Sequence, residues 1–230
     1  MANNKLNIRF TEISVAFVYF VATAASVAGD VLIRPLLAGE NYLVQVAGNP
    51  GTMVSAVMLF FAASLSIVAI PIMMFPILRR YQETAAIWYL ILRLLEATLF
   101  VFGALFTLSL VSLSADLAEN EGFSEIGLAL RAVADGAYTS GTMIFFGLSA
   151  VVIGFVFWKT KLIPVWLSWW KIVGAVLLIG QGGLVLFDAA TPTLESVLFI
   201  PIAVNEMVLA IWLLAKGFDD AALGRLGLTR

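Results

Sequence analysis

Three ionisable side chains, Arg93, Glu96 and Glu206, interrupt long apolar runs, and any specific chemistry in this chain has to rest on them. An ionised group near the centre of a bilayer costs ~2.5–3.5 kcal/mol on insertion scales, so each needs a partner or a function. Arg93 and Glu96 are spaced to share one helix face. At ~100° per residue, Tyr89, Arg93, Glu96, Gly103 and Thr107 form a narrow polar and small stripe, with Leu90, Leu94, Val101, Leu105 and Leu108 around the rest. Asn205 stands beside Glu206 in the last apolar run. Counting ~1.5 Å per residue inward from Glu83 and from Lys216 puts Arg93 and Glu206 level, at about 15 Å depth. An arginine fork binds a carboxylate through two charge-assisted hydrogen bonds, so Arg93 and Glu206 are expected to meet. With all three ionised the group sums to −1, an excess that low dielectric relieves by protonating a glutamate or by holding a cation.

The residue types that are missing narrow the chemistry further. With no His and no Cys, the chain has no disulfide, thiolate or imidazole zinc site, His-ligated haem, cysteine nucleophile or His-based triad. No cofactor and no metal-ligand set is expected. Glu96 and Glu206 could divide acid and base roles, but Arg93 beside them favours ionisation of both, and no nucleophile or Asp/Glu cluster accompanies them. An enzyme is therefore not expected. A net charge of −2 and a pI near 5.1 provide no basic field for nucleic acid.

The elements that must position these residues are membrane spans. The chain is 62% hydrophobic and 12% charged, with a mean hydropathy of +1.02, against roughly half and a quarter in soluble domains. About 20 apolar residues cross a ~30 Å hydrocarbon core. Six such runs are present: about Ile13 to Val31, Thr52 to Leu78, Thr84 to Val111, Gly136 to Trp158, Val165 to Phe187 and Ser196 to Ala215. The expectation is all-α: one six-helix transmembrane domain over residues 1–230. Lys5, Arg9, Arg79, Arg80, Lys159, Lys161, Lys216, Arg225 and Arg230 fall on one side; Asp30, Glu40, Asp116, Glu119, Glu121, Glu125, Asp188 and Glu195 fall on the other, with Arg34 and Arg131. Basic residues stay cytoplasmic, so both termini are expected there, in a bacterial inner membrane. Trp158, Trp166, Trp169 and Trp170 suit the headgroup layer at that boundary.

Lys5, Arg9 and the apolar stretch before Ala22-Thr23-Ala24 resemble a cleavable signal, but Glu12 breaks that stretch and the segment is read as the first span. Two loops are long, Leu32 to Gly51 and Ser112 to Asp135; the second is expected to carry a short surface helix over Ile126 to Val133. Pro71 frees the carbonyl of Ile67 near the depth of Arg93, as a kink or as part of a site. Met58, Met73 and Met74 are read as adaptable packing. Gly141, Gly147, Gly154, Gly174, Gly180, Gly182 and Gly183 are read mostly as close helix contacts. Gln181 needs amide partners within the bundle or near the outer interface. Lys171, about 9 Å inside the boundary, is expected to snorkel. Glu12, Asp135 and Asp188 lie near helix ends, where solvation accounts for them.

Four segments taken together resemble a known family: Leu92-Arg93-Leu94-Leu95-Glu96-Ala97, Ile144-Phe145-Phe146-Gly147, the stretch from Lys159 through Pro164 to Leu167, and Asn205-Glu206 with the stretch from Ala210 to Gly217. The chain is similar over nearly its whole length to the bacterial multi-pass membrane family called domain of unknown function forty-three eighty-six. Arg93, Glu96, Pro164 and Glu206 match the family pattern, while Asn205 stands where glycine is common and Lys159-Thr160-Lys161 where Arg-Ser-Gly is frequent. The resemblance implies a six-helix bacterial membrane protein and brings no activity with it.

The two halves suggest inverted repeats, with Glu96-Ala97-Thr98-Leu99 and Glu206-Met207-Val208-Leu209 in corresponding places, although the prolines do not follow the offset. The function expected from these residues is binding, or proton-coupled movement, of a small polar or lipid-like ligand or a cation at Arg93, Glu96, Glu206, Asn205 and Tyr89. A structural clamp of the third helix on the sixth competes with it. So does an accessory subunit presenting small residues to lipid and to a partner membrane complex or a second copy of itself.

Overall fold

The computed structural model describes residues 7–39, 41–119, 124–137, 142–187 and 189–229. Among them are the helices α1 (Ile8–Leu37), α2 (Tyr42–Gly48), α3 (Pro50–Leu78), α4 (Glu83–Glu119), α5 (Ser124–Gly136), α6 (Thr142–Thr160), α7 (Val165–Leu186), α8 (Pro192–Ala215) and α9 (Asp220–Arg225). Six of these, α1, α3, α4, α6, α7 and α8, are long and apolar enough to cross a membrane. Lys5, Glu40, Glu121, Gly141, Asp188 and Arg230 lie outside the described residues, as do the side chains of Asp116 and Glu119.

Capping extends the helices beyond their apolar runs. The Asn7 side chain accepts the Phe10 amide at 3.0 Å, so α1 starts a turn before the hydrophobic stretch. Thr191 accepts the Leu194 amide at 3.4 Å, with Pro192 in the first turn, so α8 also begins early. Asp219 caps α9 at 2.8 Å from the Ala222 amide, an element too short to register by periodicity.

The six spans pack in chain order as a closed ring: α1 on α3, α3 on α4, α4 on α6, α6 on α7, α7 on α8, and α8 back on α1. The short α2 and α5 pack on α4 at the face away from the termini, where Tyr42, Leu43 and Leu110 form a small cluster. There Arg131 lies 5.2 Å from the Tyr42 ring centre and 3.7 Å from Asp135. Burial raises both the Tyr42 hydroxyl and the Asp135 carboxyl above their ordinary pKa values, with Arg131 opposing the shift in each.

No hydrophobic effect holds helices together in lipid, so close backbone approach has to. A Cβ on Gly174 would stand 3.1 Å from the backbone of Ile202 in α8, and one on Gly147 would meet Ile179 in α7 at 2.5 Å. Gly154 and Gly182 also face the α6/α7 seam, whereas a Cβ on Gly180 or Gly183 meets nothing within 4 Å. Gly174→Ala is expected to destabilise the protein in micelles by about 1–3 kcal/mol, because helix backbone cannot yield as a side chain can. Gly180→Ala should stay within about 0.5 kcal/mol on the same thermal-unfolding assay.

The ring closes at a polar seam between the two chain ends. Arg9 donates to the carbonyls of Leu213 and Leu214 at 2.9 and 2.5 Å, satisfying acceptors that the last turn of α8 leaves open. Glu12 is fully buried rather than solvated at a helix end: it accepts the Phe218 amide at 2.7 Å and pairs with Arg9 at 3.2 Å. The chain turns back after α8 at Gly217, and this brings the Phe218 amide onto α1. Trp158 stacks near Trp169 at 5.2 Å, with Lys159 4.2 Å from the Trp158 ring centre, in the aromatic belt on this terminal face.

Candidate functional site: a buried four-charge cluster

The amphipathic stripe of α4 lies as its residues demand. Tyr89, Arg93, Glu96 and Thr107 are buried, while Leu94 and Leu105 are exposed on the outer side. Arg93 Nη1 lies 3.0 Å from Glu96 Oε2, one turn along the same helix. The contact is an ion pair off the hydrogen-bonding line, leaving Arg93 Nε and Glu96 Oε2 without hydrogen-bond partners. From α6, Phe146 offers its ring face 5.1 Å from the guanidinium.

Glu206 does not meet Arg93 in an ion pair. Its partner is Lys171 of α7, with Nζ to Oε1 at 3.7 Å. Lys171 does not snorkel; only 1% of its side chain is exposed. Four residues of rise, about 6 Å, separate its depth from that of Glu206, a difference a lysine stem can span. A carboxylate on the adjacent helix inside the ring holds the ammonium there. Arg93 had a carboxylate already in place on its own helix, so it had no need of one from α8.

This pairing changes the charge balance. Arg93 and Lys171 stand against Glu96 and Glu206, so with all four ionised the group sums to zero instead of −1. Around it Tyr19 of α1 and Tyr89 of α4 are both buried, within electrostatic range of each other and of Arg93 and Glu206. Arg93 and Glu206 remain within electrostatic range of each other, as do Glu96 and Lys171. The cluster therefore draws on α1, α4, α6, α7 and α8.

Asn205 is fully buried and serves the α7/α8 contact. Its Nδ2 donates to the Leu167 carbonyl at 3.1 Å, one turn before Lys171, while its Oδ1 has no hydrogen-bond partner. Gln181, deeper along α7, is likewise buried with Oε1 unpartnered. Of the five residues singled out in the sequence, Arg93, Glu96, Tyr89 and Glu206 come together, and Asn205 flanks them on α8. Tyr19 and Lys171 were missed as members. Tyr19 is an aromatic among apolar neighbours with no sequence signal, and Lys171 was legible only through its depth relative to Glu206.

Among the described residues no group of three or more His, Cys, Asp or Glu could hold a metal ion. Two surface pockets, of about 520 and 270 Å³, lie on the terminal face at the α6/α7 turn and at Arg79, Arg80 and Glu83, and neither reaches Arg93 or Glu206. Glu206 is the least buried member of the cluster, its side chain keeping 14% exposure. Chemically it brings together a guanidinium, an ammonium and two carboxylates inside the ring.

No curated protein and no solved structure matches the chain. The family described as Domain of unknown function (DUF4386) matches residues 15–217, a stretch that contains every member of the buried cluster, and the chain belongs to that family.

Proposed function

We propose that the interior of the helix ring binds a small polar or lipid-like ligand and releases it with a proton. The observation that carries this reading is the set of buried polar atoms without hydrogen-bond partners, Arg93 Nε, Glu96 Oε2 and Asn205 Oδ1, beside the partly exposed Glu206. Unmade hydrogen bonds at such depth cost about 1–3 kcal/mol each, and a ligand carrying both donors and acceptors recovers that cost. Because the four charges already cancel, the favoured ligand is uncharged or zwitterionic. An anion entering the ring would bring a proton to Glu206 and release Lys171 to pair with it.

The test uses proteoliposomes with a trapped pH-sensitive dye and a panel of anionic and zwitterionic solutes outside. Glu206→Gln is expected to abolish the proton entry that an anionic solute brings. Since that variant leaves Lys171 unpaired, the double variant K171M/E206Q separates folding from function: a folded double variant without flux supports a binding role. If the double variant folds and transports as well as the original, the cluster is a clamp and the proposal fails.

The same reading places the basic terminal face in the cytoplasm. The chain has no cysteine, so a single Thr229→Cys introduced on that face is a clean reporter. Labelling by an impermeant maleimide is expected only after the cells are permeabilised; labelling of intact cells would reverse the orientation.

A further inference from the structure

The pocket of about 520 Å³ on the terminal face belongs to none of this. It lies between the α6/α7 turn, the end of α8 and α9, and its lining combines Lys161, Lys216 and Arg225 with the apolar Val165 and Trp212. Its walls are tied together. The Asp219 amide donates to the Leu162 carbonyl at 2.9 Å, the Trp212 indole to the Gly217 carbonyl at 3.1 Å, and Arg225 Nη2 to the Thr160 carbonyl at 3.3 Å. Two acids also line it. Asp219 is committed to capping α9, and Asp220, like Lys216, has contacts of its own.

Lys161 is the odd member. It sits just past the end of α6 with φ +59, the one non-glycine residue in the left-handed region among those described. Glycine is the usual occupant of that position, and a lysine there carries backbone strain on the order of 1 kcal/mol or more. Among the described residues its ammonium has no ion pair or hydrogen bond. The favourable interaction of a cation with the end of α6 is already supplied by Lys159 in the last turn. A strained, exposed lysine that lines an open, part-apolar groove points to a ligand outside the chain.

We propose that this groove binds the phosphate of an acidic phospholipid, with Lys161 and Arg225 as its donors and Val165 and Trp212 against the first carbons of the lipid. The level is right for a headgroup: Trp166 and Trp169, both substantially exposed, flank the same turn, where aromatic side chains prefer the interface. The site is separate from the buried cluster and does not depend on it.

Lys161→Gly makes the proposal testable, because glycine suits the backbone while removing the charge. The full chain, purified in mixed micelles of phosphatidylglycerol and phosphatidylcholine, is examined by native mass spectrometry for retained lipid. The original protein should retain phosphatidylglycerol preferentially. Lys161→Gly should lower that retention about tenfold, the loss of one charge-assisted hydrogen bond, with an unfolding temperature equal or higher. Lys161→Arg should keep retention. Equal retention of the two lipids, or retention unchanged in Lys161→Gly, overturns the proposal. So does an unfolding temperature raised by inorganic phosphate alone as much as by phosphatidylglycerol in a Lys161-dependent way, which would assign the groove to a soluble phosphate.

Discussion

Replacing Lys171 with methionine is expected to destabilise the protein by about 3–5 kcal/mol, because it leaves the Glu206 carboxylate inside the ring without its cation. Methionine keeps the length of the stem and fills the same space, so the loss reads the charge and not a cavity. Adding Glu206→Gln should return most of the stability, since removing both charges of a buried pair is far less costly than removing one. Equilibrium unfolding of the single and double variants in mixed micelles measures both. A lysine reaching to the headgroups would behave differently: the single variant would then fall within about 1 kcal/mol of the original, and the second substitution would restore nothing.

The second large effect is expected at Glu12. Glu12→Ala strips the acceptor from the buried Phe218 amide and the carboxylate from Arg9, a loss of about 2–3 kcal/mol for a hydrogen bond with a charged partner. The effect is directional, because what comes loose is the segment after α8. Trypsin should cut after Lys216 more than about tenfold faster in the variant, as the opening free energy of that segment falls by more than about 1.4 kcal/mol. Glu12→Gln keeps an acceptor of the same shape and should retain most of the protection. If Glu12 were merely solvated at a helix end, neither the stability nor the cleavage rate would change.

These two residues also mark where the sequence was legible and where it was not. The six spans follow from length and hydropathy, which the bilayer enforces residue by residue, and the stripe on α4 follows from a single helical period. Both are properties of one segment at a time. The partner of Glu206 and the surroundings of Glu12 are set by which helices are neighbours. Arg93 and Lys171 lie at depths compatible with Glu206, and depth alone does not choose between them; the ring order, with α7 beside α8, does. Glu12 is buried because the chain folds back at Gly217, a turn that has no hydrophobic period to announce it. The short α9 escaped for the same reason. Most of the glycines of α6 and α7 were read as close contacts, and Gly147, Gly154, Gly174 and Gly182 are, but only neighbour geometry separates Gly174, pressed on Ile202, from Gly180, where a Cβ would meet nothing within 4 Å.

The order of helices in the ring bears on how the protein is made. Helices leave the ribosome from the N-terminus onward, and each span of this ring can dock on the one made before it. Arg93 enters the bilayer with its carboxylate one turn away, already a neutral unit. Lys171 enters with none, since Glu206 is 35 residues further along, or roughly 2–7 s at ordinary synthesis rates. During that interval the ammonium has to stay at the headgroups, near enough to the end of α7 to do so. The interior is therefore completed by the last span, whose arrival draws the lysine inward and shuts α8 against α1. A chain stalled before α8 would hold an open five-helix arc with its lysine still unpaired by Glu206.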